Sequence, residues 1–344
     1  MNTEKIWNEW SDAETFSGVF SIRRDQEVIF EKSCGYRNRS ESLLNNSDTA
    51  FSIASGTKLF TGLAICKLID DGKLSLNDKL CDILNNDLGE IDKRVTIYHL
   101  LTHTSGVGDY IDEEAEDSME QLQALYNKYP VYLWERLEYY LPMITILPPK
   151  FEPGARYGYS NAGFVLLGLV VEAISGIPYQ QFVTDNIIKP CELKHTGYYR
   201  MDSLPENTAH GYMQDDETGQ WRTNIFNLPV IGGSDGGLYT CAEDLQKVWQ
   251  AIFTNAILSE EMTQEFLKPQ ILMDNDDQEE SYGLGVYIHK SDNISFYYAV
   301  GGDYGVDFFT AYFPKQKIVA SALGNTELNT FPLLKAVVAT LIIE

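Results

Sequence analysis

Ser55 and Lys58 stand three residues apart in the segment Phe51-Ser52-Ile53-Ala54-Ser55-Gly56-Thr57-Lys58-Leu59-Phe60. The run over residues 58–70 then places Leu59, Phe60, Leu63, Ala64, Cys66, Leu68 and Ile69 at helical spacing, with Gly72 suited to the C-cap. Residues three apart on a helix share a face, so the Lys58 amine can take or relay the proton of the Ser55 hydroxyl. The start of a helix also supplies positive partial charge where an anion would develop on an attacked carbonyl. Ser-x-x-Lys is a short pattern, and Ser55 acting only as a helix cap is the plain alternative.

A second group of the right kind lies in Pro153-Gly154-Ala155-Arg156-Tyr157-Gly158-Tyr159-Ser160-Asn161, which again leads into an apolar helical run at 162–174. A tyrosine beside a lysine serves as a base if its pKa falls from about 10 towards 7, which needs about 4 kcal/mol of preferential stabilisation of the phenolate. A close ammonium in a partly desolvated cleft supplies much of that. The alternative is that Tyr159 is one of 21 tyrosines and packs.

Taken in this order, the two motifs make the chain resemble the serine β-lactamase and penicillin-binding-protein superfamily. The resemblance is to the branch holding class C β-lactamases, D-alanyl-D-alanine carboxypeptidases, D-aminopeptidases and family VIII esterases. It extends over nearly the whole chain. It takes in Cys34-Gly35-Tyr36 and Asp71-Gly72-Lys73-Leu74-Ser75-Leu76-Asn77-Asp78 on either side of the first motif. Further on it includes Leu100-Leu101-Thr102-His103-Thr104-Ser105-Gly106, residues 153–176, Gly236-Gly237-Leu238-Tyr239-Thr240 with Asp244-Leu245, and Tyr282-Gly283-Leu284-Gly285. The resemblance implies Ser55 as nucleophile, Lys58 as its activating partner, Tyr159 as general base and acid, and Asn161 as a contact to a substrate amide. It also implies an oxyanion hole from the Ser55 N–H and an N–H near Gly302 or Asp303.

The chain departs from the family in a third motif. Relatives carry Lys or His, then Thr, Ser or Gly, then Gly on a strand lining the cleft. Here the stretch is Tyr298-Ala299-Val300-Gly301-Gly302-Asp303-Tyr304-Gly305, so Ala299 or Val300 stands where the cation is expected. Recognition of a substrate carboxylate is therefore in question, with Arg156 or Arg222 as replacements from elsewhere, and neutral esters or amides are the expected better substrates. Gly232-Gly233-Ser234-Asp235-Gly236 matches the Gly-x-Ser-x-Gly of α/β-hydrolases but lacks a helix starting at its serine, so Ser234 is set aside as nucleophile. His103 and His210 are read as structural histidines.

The elements that must position these groups follow a simple plan. Strand-like runs occupy 16–22 and 28–31 near the start, then 282–288, 295–300, 308–313 and 318–323, with a last apolar helix from about 332. The expected fold is α+β and β-lactamase/transpeptidase-like. An antiparallel sheet is built from both chain termini and flanked by helices, with a mostly helical inserted region. Residues 1–50 and 230–344 form the sheet part and 51–229 the helical part, which carries Ser55 and Tyr159, in one integrated catalytic unit with a cleft between the layers.

Composition bounds the partners. The 344 residues are 44% hydrophobic, enough for a large core, and 26 basic against 50 acidic residues give a formal charge of −24. Such a polyanion is repelled by phosphate backbones and anionic membranes, so the expected partner is a small-molecule or peptide substrate. The acidic stretches 109–120 and 274–280 read as solvated loops rather than cation sites. Five widely spaced cysteines without a Cys-x-x-Cys pattern read as free thiols; neither metal nor cofactor is called for. The polar start of the chain and the lack of a long apolar run point to a cytoplasmic protein. The expected function is a serine hydrolase working through an acyl-enzyme on Ser55, with an ester, amide, D-amino-acid peptide or β-lactam substrate. A non-catalytic or slowly acylated penicillin-binding sensor of the same fold is the alternative.

Overall fold

Strand formation begins where apolar and polar residues alternate. In the computed structural model, which describes residues 2–343 apart from 26, 85–86, 114, 116–117, 216 and 274–277, β1 (Gly18–Arg24) and β2 (Glu27–Cys34) form an antiparallel pair. The C-terminal part contributes β3 (Ile271–Leu272), β4 (Glu280–Tyr282), β5 (Tyr287–Lys290), β6 (Ser295–Asp303), β7 (Val306–Phe313) and β8 (Ile318–Gly324). These eight strands make one sheet in the order β2-β1-β8-β7-β6-β5-β4-β3. The two ends of the chain meet within it, where β1 pairs antiparallel with β8 from Gly18↔Gly324 to Arg24↔Ile318. The expected α+β architecture, with a sheet built from both termini, is the one observed.

Successive side chains leave a strand on opposite faces, and this sorts the core into two halves. Phe20, Ile22, Phe309, Ala311, Phe313, Ala320 and Ala322 point to one side. There α1 (Thr3–Glu9) supplies Ile6 and Trp7, and the C-terminal helix, Phe331–Ile343, supplies Leu333, Val337 and Leu341 at four-residue spacing. Val19, Phe308, Val319 and Leu323 point the other way, into a larger core shared with the helical layer. The central helix of that layer is α2 (Lys58–Asp70), buried on nearly every side, with α3 (Asn161–Ser175) beside it. α4 (Ala242–Phe253) lies across β1 and β8 and anchors Trp249, whose Nε1–H donates to Thr310 Oγ1 at 2.9 Å.

One expected strand is divided. The run 282–288 breaks into β4 and β5 around a tight turn closed by Gly283 N–H donating to Val286 C=O at 2.8 Å. The reason is α2. A Cβ on Gly62 would stand 2.2 Å from Leu284 O, and Gly285 has φ +104° with its own Cβ position 2.9 Å from Gly62 Cα. The turn exists because backbone meets backbone here, bringing the helix that carries Lys58 hard against the sheet edge. Among the described residues no single helix is long and apolar enough to cross a membrane.

Candidate active site

Ser55 sits in a 3-10 turn, Ala54–Thr57, that feeds directly into α2. The turn is stitched in place by Gly56 N–H to Ile53 C=O (2.8 Å), Thr57 Oγ1–H to Ala54 C=O (2.7 Å) and Leu238 N–H to Thr57 Oγ1 (3.0 Å). Strand β6 lies on top of it. A Cβ on Gly301 would fall 2.2 Å from Ile53 O and 2.9 Å from Ser55 N, so only glycine permits this contact.

Ser55 Oγ has two polar partners: Lys58 Nζ at 2.9 Å and Tyr159 OH, which donates to it at 2.8 Å. Lys58 is 3% exposed, and its other two partners are carbonyl oxygens, Asn161 Oδ1 at 2.7 Å and the backbone oxygen of Asp235 at 2.7 Å. Burial lowers the Lys58 pKa from its ordinary value, against the opposing pull of Asp235, Glu113, Asp109 and Asp303.

Tyr159 and Asn161 flank the N-cap of α3. Ser160 Oγ accepts from Gly163 N–H at 3.0 Å. The buried carboxylate of Asp109 accepts from the N–H groups of Asn161 (2.6 Å) and Ala162 (3.1 Å), so the first turn of the helix is held from two sides. His103 fixes the preceding bend: its carbonyl accepts from Gly158 N–H at 2.8 Å and its Nδ1 from Ser160 N–H at 3.0 Å. The acceptor role at Nδ1 leaves the ring proton on Nε2, which is buried without a partner. The ring packs 4.6 Å from Tyr159 and 4.9 Å from Phe164, and burial first, then Lys58, holds His103 well below its ordinary pKa.

A model of the family described as Beta-lactamase matches residues 8–340. The chain belongs to this family. Among solved structures, a penicillin-binding protein from Bacillus halodurans is 40% identical, with a TM-score of 0.89 over 98% of this chain and 100% of that one. PbpX of Bacillus subtilis (strain 168), named as a penicillin-binding protein, is 26% identical over 274 residues, 79% of this chain and 62% of that protein. A D-stereospecific amidohydrolase from Streptomyces sp. shares the fold, at 22% identity and a TM-score of 0.82 over 98% of both chains. The chain spans less than two thirds of the length of the curated relatives it matches, 62% of PbpX and 40% of the Staphylococcus aureus protein Flp.

Within this Beta-lactamase-family cleft the structure differs from the sequence expectation at several points. The Tyr159 phenol is not pushed towards 7. Burial, then Tyr287 and Glu113, raise it well above its ordinary value, and Lys58 Nζ lies 4.9 Å from its ring centroid. Asn161, expected to meet a substrate amide, does line the cleft with Ser55, its Oδ1 accepting from Lys58 Nζ and its Nδ2 donating to Glu113 Oε1 at 3.0 Å. The acidic stretch 109–120 is not simply a solvated loop. Asp109 is 8% exposed, and burial drives its carboxyl up to about 7 against the N–H groups it accepts from; residues 114 and 116–117 lie outside the described residues. In the stretch 274–280, residues 274–277 also lie outside them, and Glu280 is bound by His289 Nδ1 and Tyr298 OH.

Ser234 is fully buried, its Oγ against the Gly168 backbone, so the Gly-x-Ser-x-Gly run is no nucleophile elbow. Its neighbour matters instead. Asp235 gives its carbonyl to Lys58 and its carboxylate to Tyr110 OH. Ala299 is buried in the larger core, whereas Val300, Gly301 and Gly302 line the cleft, and Asp303 ends the strand there. Neither Arg156 nor Arg222 lines it. Arg156 stacks on Phe151 at 4.3 Å and Arg222 sits on an exposed hairpin 3.9 Å from Asp215. His210 is half-buried at another bend, with its N–H on Arg37 C=O at 3.0 Å.

The cleft has two chambers that meet at Ser55. One, of about 440 Å³, is lined by apolar side chains, Trp134, Met143, Leu228 and Pro229 among them, and by the carboxylates Glu113, Asp235, Asp303 and Glu327. The second runs past Tyr157, Tyr159 and Tyr287 to Asp307. Asp303 opens into the first chamber at an exposed position, its carboxylate accepting the Tyr304 N–H at 2.9 Å.

Proposed function

We propose that this chain is a serine hydrolase of esters or amides that forms an acyl-enzyme on Ser55, with Lys58 as the base. The observation that carries the reading is the set of partners around Lys58 Nζ. Two are carbonyl oxygens that can only accept, and the third is a hydroxyl that can donate. A neutral amine fits this set in one way: its two N–H bonds go to Asn161 and Asp235, and its lone pair faces the Ser55 hydroxyl. Burial favours that neutral form. As Ser55 attacks a carbonyl, its proton passes to Lys58 and the backbone N–H groups of Ser55 and of Gly302 or Asp303 receive the oxyanion.

Tyr159 acts as the acid on this reading. Its phenol keeps its proton at neutral pH and already points at Ser55 Oγ. When the tetrahedral intermediate collapses, Tyr159 protonates the leaving oxygen or nitrogen and is reprotonated from the Lys58 ammonium. The net transfer is the serine proton to the leaving group, and water reverses the sequence to release the acid.

The test is labelling with a fluorophosphonate, followed by peptide mass spectrometry and an ester turnover assay. The adduct is expected on Ser55 and is expected to vanish in Ser55→Ala protein of unchanged melting temperature. An adduct on Ser234, or none on folded wild-type protein, overturns the proposal. Labelling of Ser55 without turnover of any ester or amide marks a slowly acylated binding protein instead.

A further inference from the structure

We infer that the cleft selects acyl groups that carry a protonated amine, and that Asp303 is the residue that reads it. The inference rests on Ser55 being the acylated nucleophile and names the substrate class for that site.

The argument starts from what walls the space a substrate must enter. Both chambers at Ser55 are lined by carboxylates, and among the described residues neither has an Arg, Lys or His on its wall. Lys58, the basic side chain beneath Ser55, has its three contacts committed within the protein. A substrate carboxylate would therefore meet Asp303, Asp235 and Glu113 with nothing to neutralise it, in a concave site where charge is poorly screened. A neutral group there would displace water from Asp303 without giving its carboxylate a charged partner in exchange.

The carboxylates are not equivalent. Asp235 receives Tyr110 OH and Glu113 receives Asn161 Nδ2, so both are tied into the structure around Lys58. Among the described residues Glu327 receives one backbone N–H, from Gly305 at 3.3 Å, and Asp303 one, from its neighbour Tyr304 at 2.9 Å. Asp303 stands at the end of β6, the strand that lies over Ser55, and opens into the same chamber as the nucleophile. An ammonium on the acyl part of a substrate would reach it with the scissile carbonyl at Ser55. The apolar residues of the chamber, Trp134, Met143 and Leu228 among them, would take a hydrocarbon side chain. The chemistry that fits all three walls is an amide or ester of an apolar amino acid with a free amino group.

The experiment compares kcat/KM for D- and L-leucine p-nitroanilide with that for 4-methylpentanoyl p-nitroanilide, which lacks the amine, and N-succinyl-leucine p-nitroanilide, which replaces it with a carboxylate. For any anilide not turned over, protection of Ser55 from fluorophosphonate is measured instead. One leucine enantiomer is expected to exceed the des-amino compound by about 10- to 150-fold, the factor carried by a charge-assisted hydrogen bond. That ratio is expected to fall at least tenfold in Asp303→Asn, and in the wild type to shrink as salt is raised from about 0.05 to 1 M. The salt series stands even if the variant folds poorly. Equal or better use of the des-amino or succinyl compound overturns the inference, as does an amine preference that survives in Asp303→Asn. Failure of the wild type to label at Ser55 is a different result and overturns the acyl-enzyme reading.

Discussion

Gly301→Ala is a small perturbation with a large expected consequence. The added methyl would lie 2.2 Å from Ile53 O and 2.9 Å from the N atoms of Ser55 and Gly56. These are backbone atoms of the turn that carries the nucleophile, so no side chain can swing aside. Restoring ordinary van der Waals contact requires strand and turn to separate by about 1 Å. Overpacking of this kind costs about 1–3 kcal/mol of stability. A misplacement of about 1 Å at a reacting group costs on the order of 100-fold in rate. The control is next in the chain: a Cβ at Gly302 meets nothing within 4 Å, so Gly302→Ala adds a methyl to the open cleft without moving the turn. The assay is the second-order rate of fluorophosphonate labelling at Ser55 together with a thermal melt. Gly301→Ala is expected to label about 100-fold more slowly and melt a few degrees lower, and Gly302→Ala to keep the wild-type melting temperature. Gly301→Ala protein that labels within a few-fold of wild type at an unchanged melting temperature would refute the packing argument.

With Lys58 as the base, as proposed, the deprotonated amine is the active form; burial lowers its pKa, so the acylation rate is expected to rise with pH along a limb whose midpoint lies below the ordinary lysine value of 10.5. Lys58→Met should lose that limb and about 10²- to 10⁴-fold in rate; a limb that persists in the variant assigns it to another group. Tyr159→Phe should slow amides with poor leaving groups more than activated esters, and equal losses on both would count against a proton-donor role. Asp109→Ala removes the acceptor for two first-turn N–H groups and should cost about 0.5–2 kcal/mol. With the folded pKa raised to about 7 from 3.8, the stabilising contribution of Asp109 is complete below about 4 and lost as pH rises through 7. The melting-temperature gap to wild type should therefore be wider at pH 5 than at pH 8, and the opposite order would refute the assignment. All five cysteines are free, with Cys66 and Cys241 fully buried, so five thiols should titrate in denaturant without reductant and fewer in native protein. A count below five in denaturant would reveal a disulfide.

Much of this was open to a reading of the sequence because it depends on short-range pattern. Ser55 and Lys58 share a helix face by spacing alone, and alternation marked the strands on both sides of the chain. What sequence could not supply is contact across the fold. Asp109 is one acidic residue in an acidic run, and only the N-terminus of α3, 52 residues further on, makes it a buried cap. Asp235 was hidden inside a motif match to the wrong enzyme class, and its importance lies in a backbone oxygen whose direction no side-chain pattern reveals. The division of 282–288 into two strands follows from Gly62 on a distant helix. The expected fall in the Tyr159 pKa failed for a related reason. The family resemblance brought Lys58 and Tyr159 to one site, but packing placed the nitrogen over the ring face and set other tyrosines near the phenol.

The acidity of the cleft and the basicity asked of Lys58 are reconciled by how the carboxylates approach it. A carboxylate in direct contact would hold the lysine as an ammonium, since a buried ion pair favours both charged forms. Here the contacts are an amide oxygen and a peptide oxygen. Asp235 and Glu113 act on Lys58 only at a distance, with their own hydrogen bonds to Tyr110 and Asn161. Desolvation can then win and keep a lone pair at Ser55. The same arrangement ties the two inferences together. A protonated amine seated at Asp303 would place a positive charge near Lys58, and like charge disfavours the ammonium. The substrate that best fits the acidic wall is thus also one whose arrival drives the lysine towards its basic form.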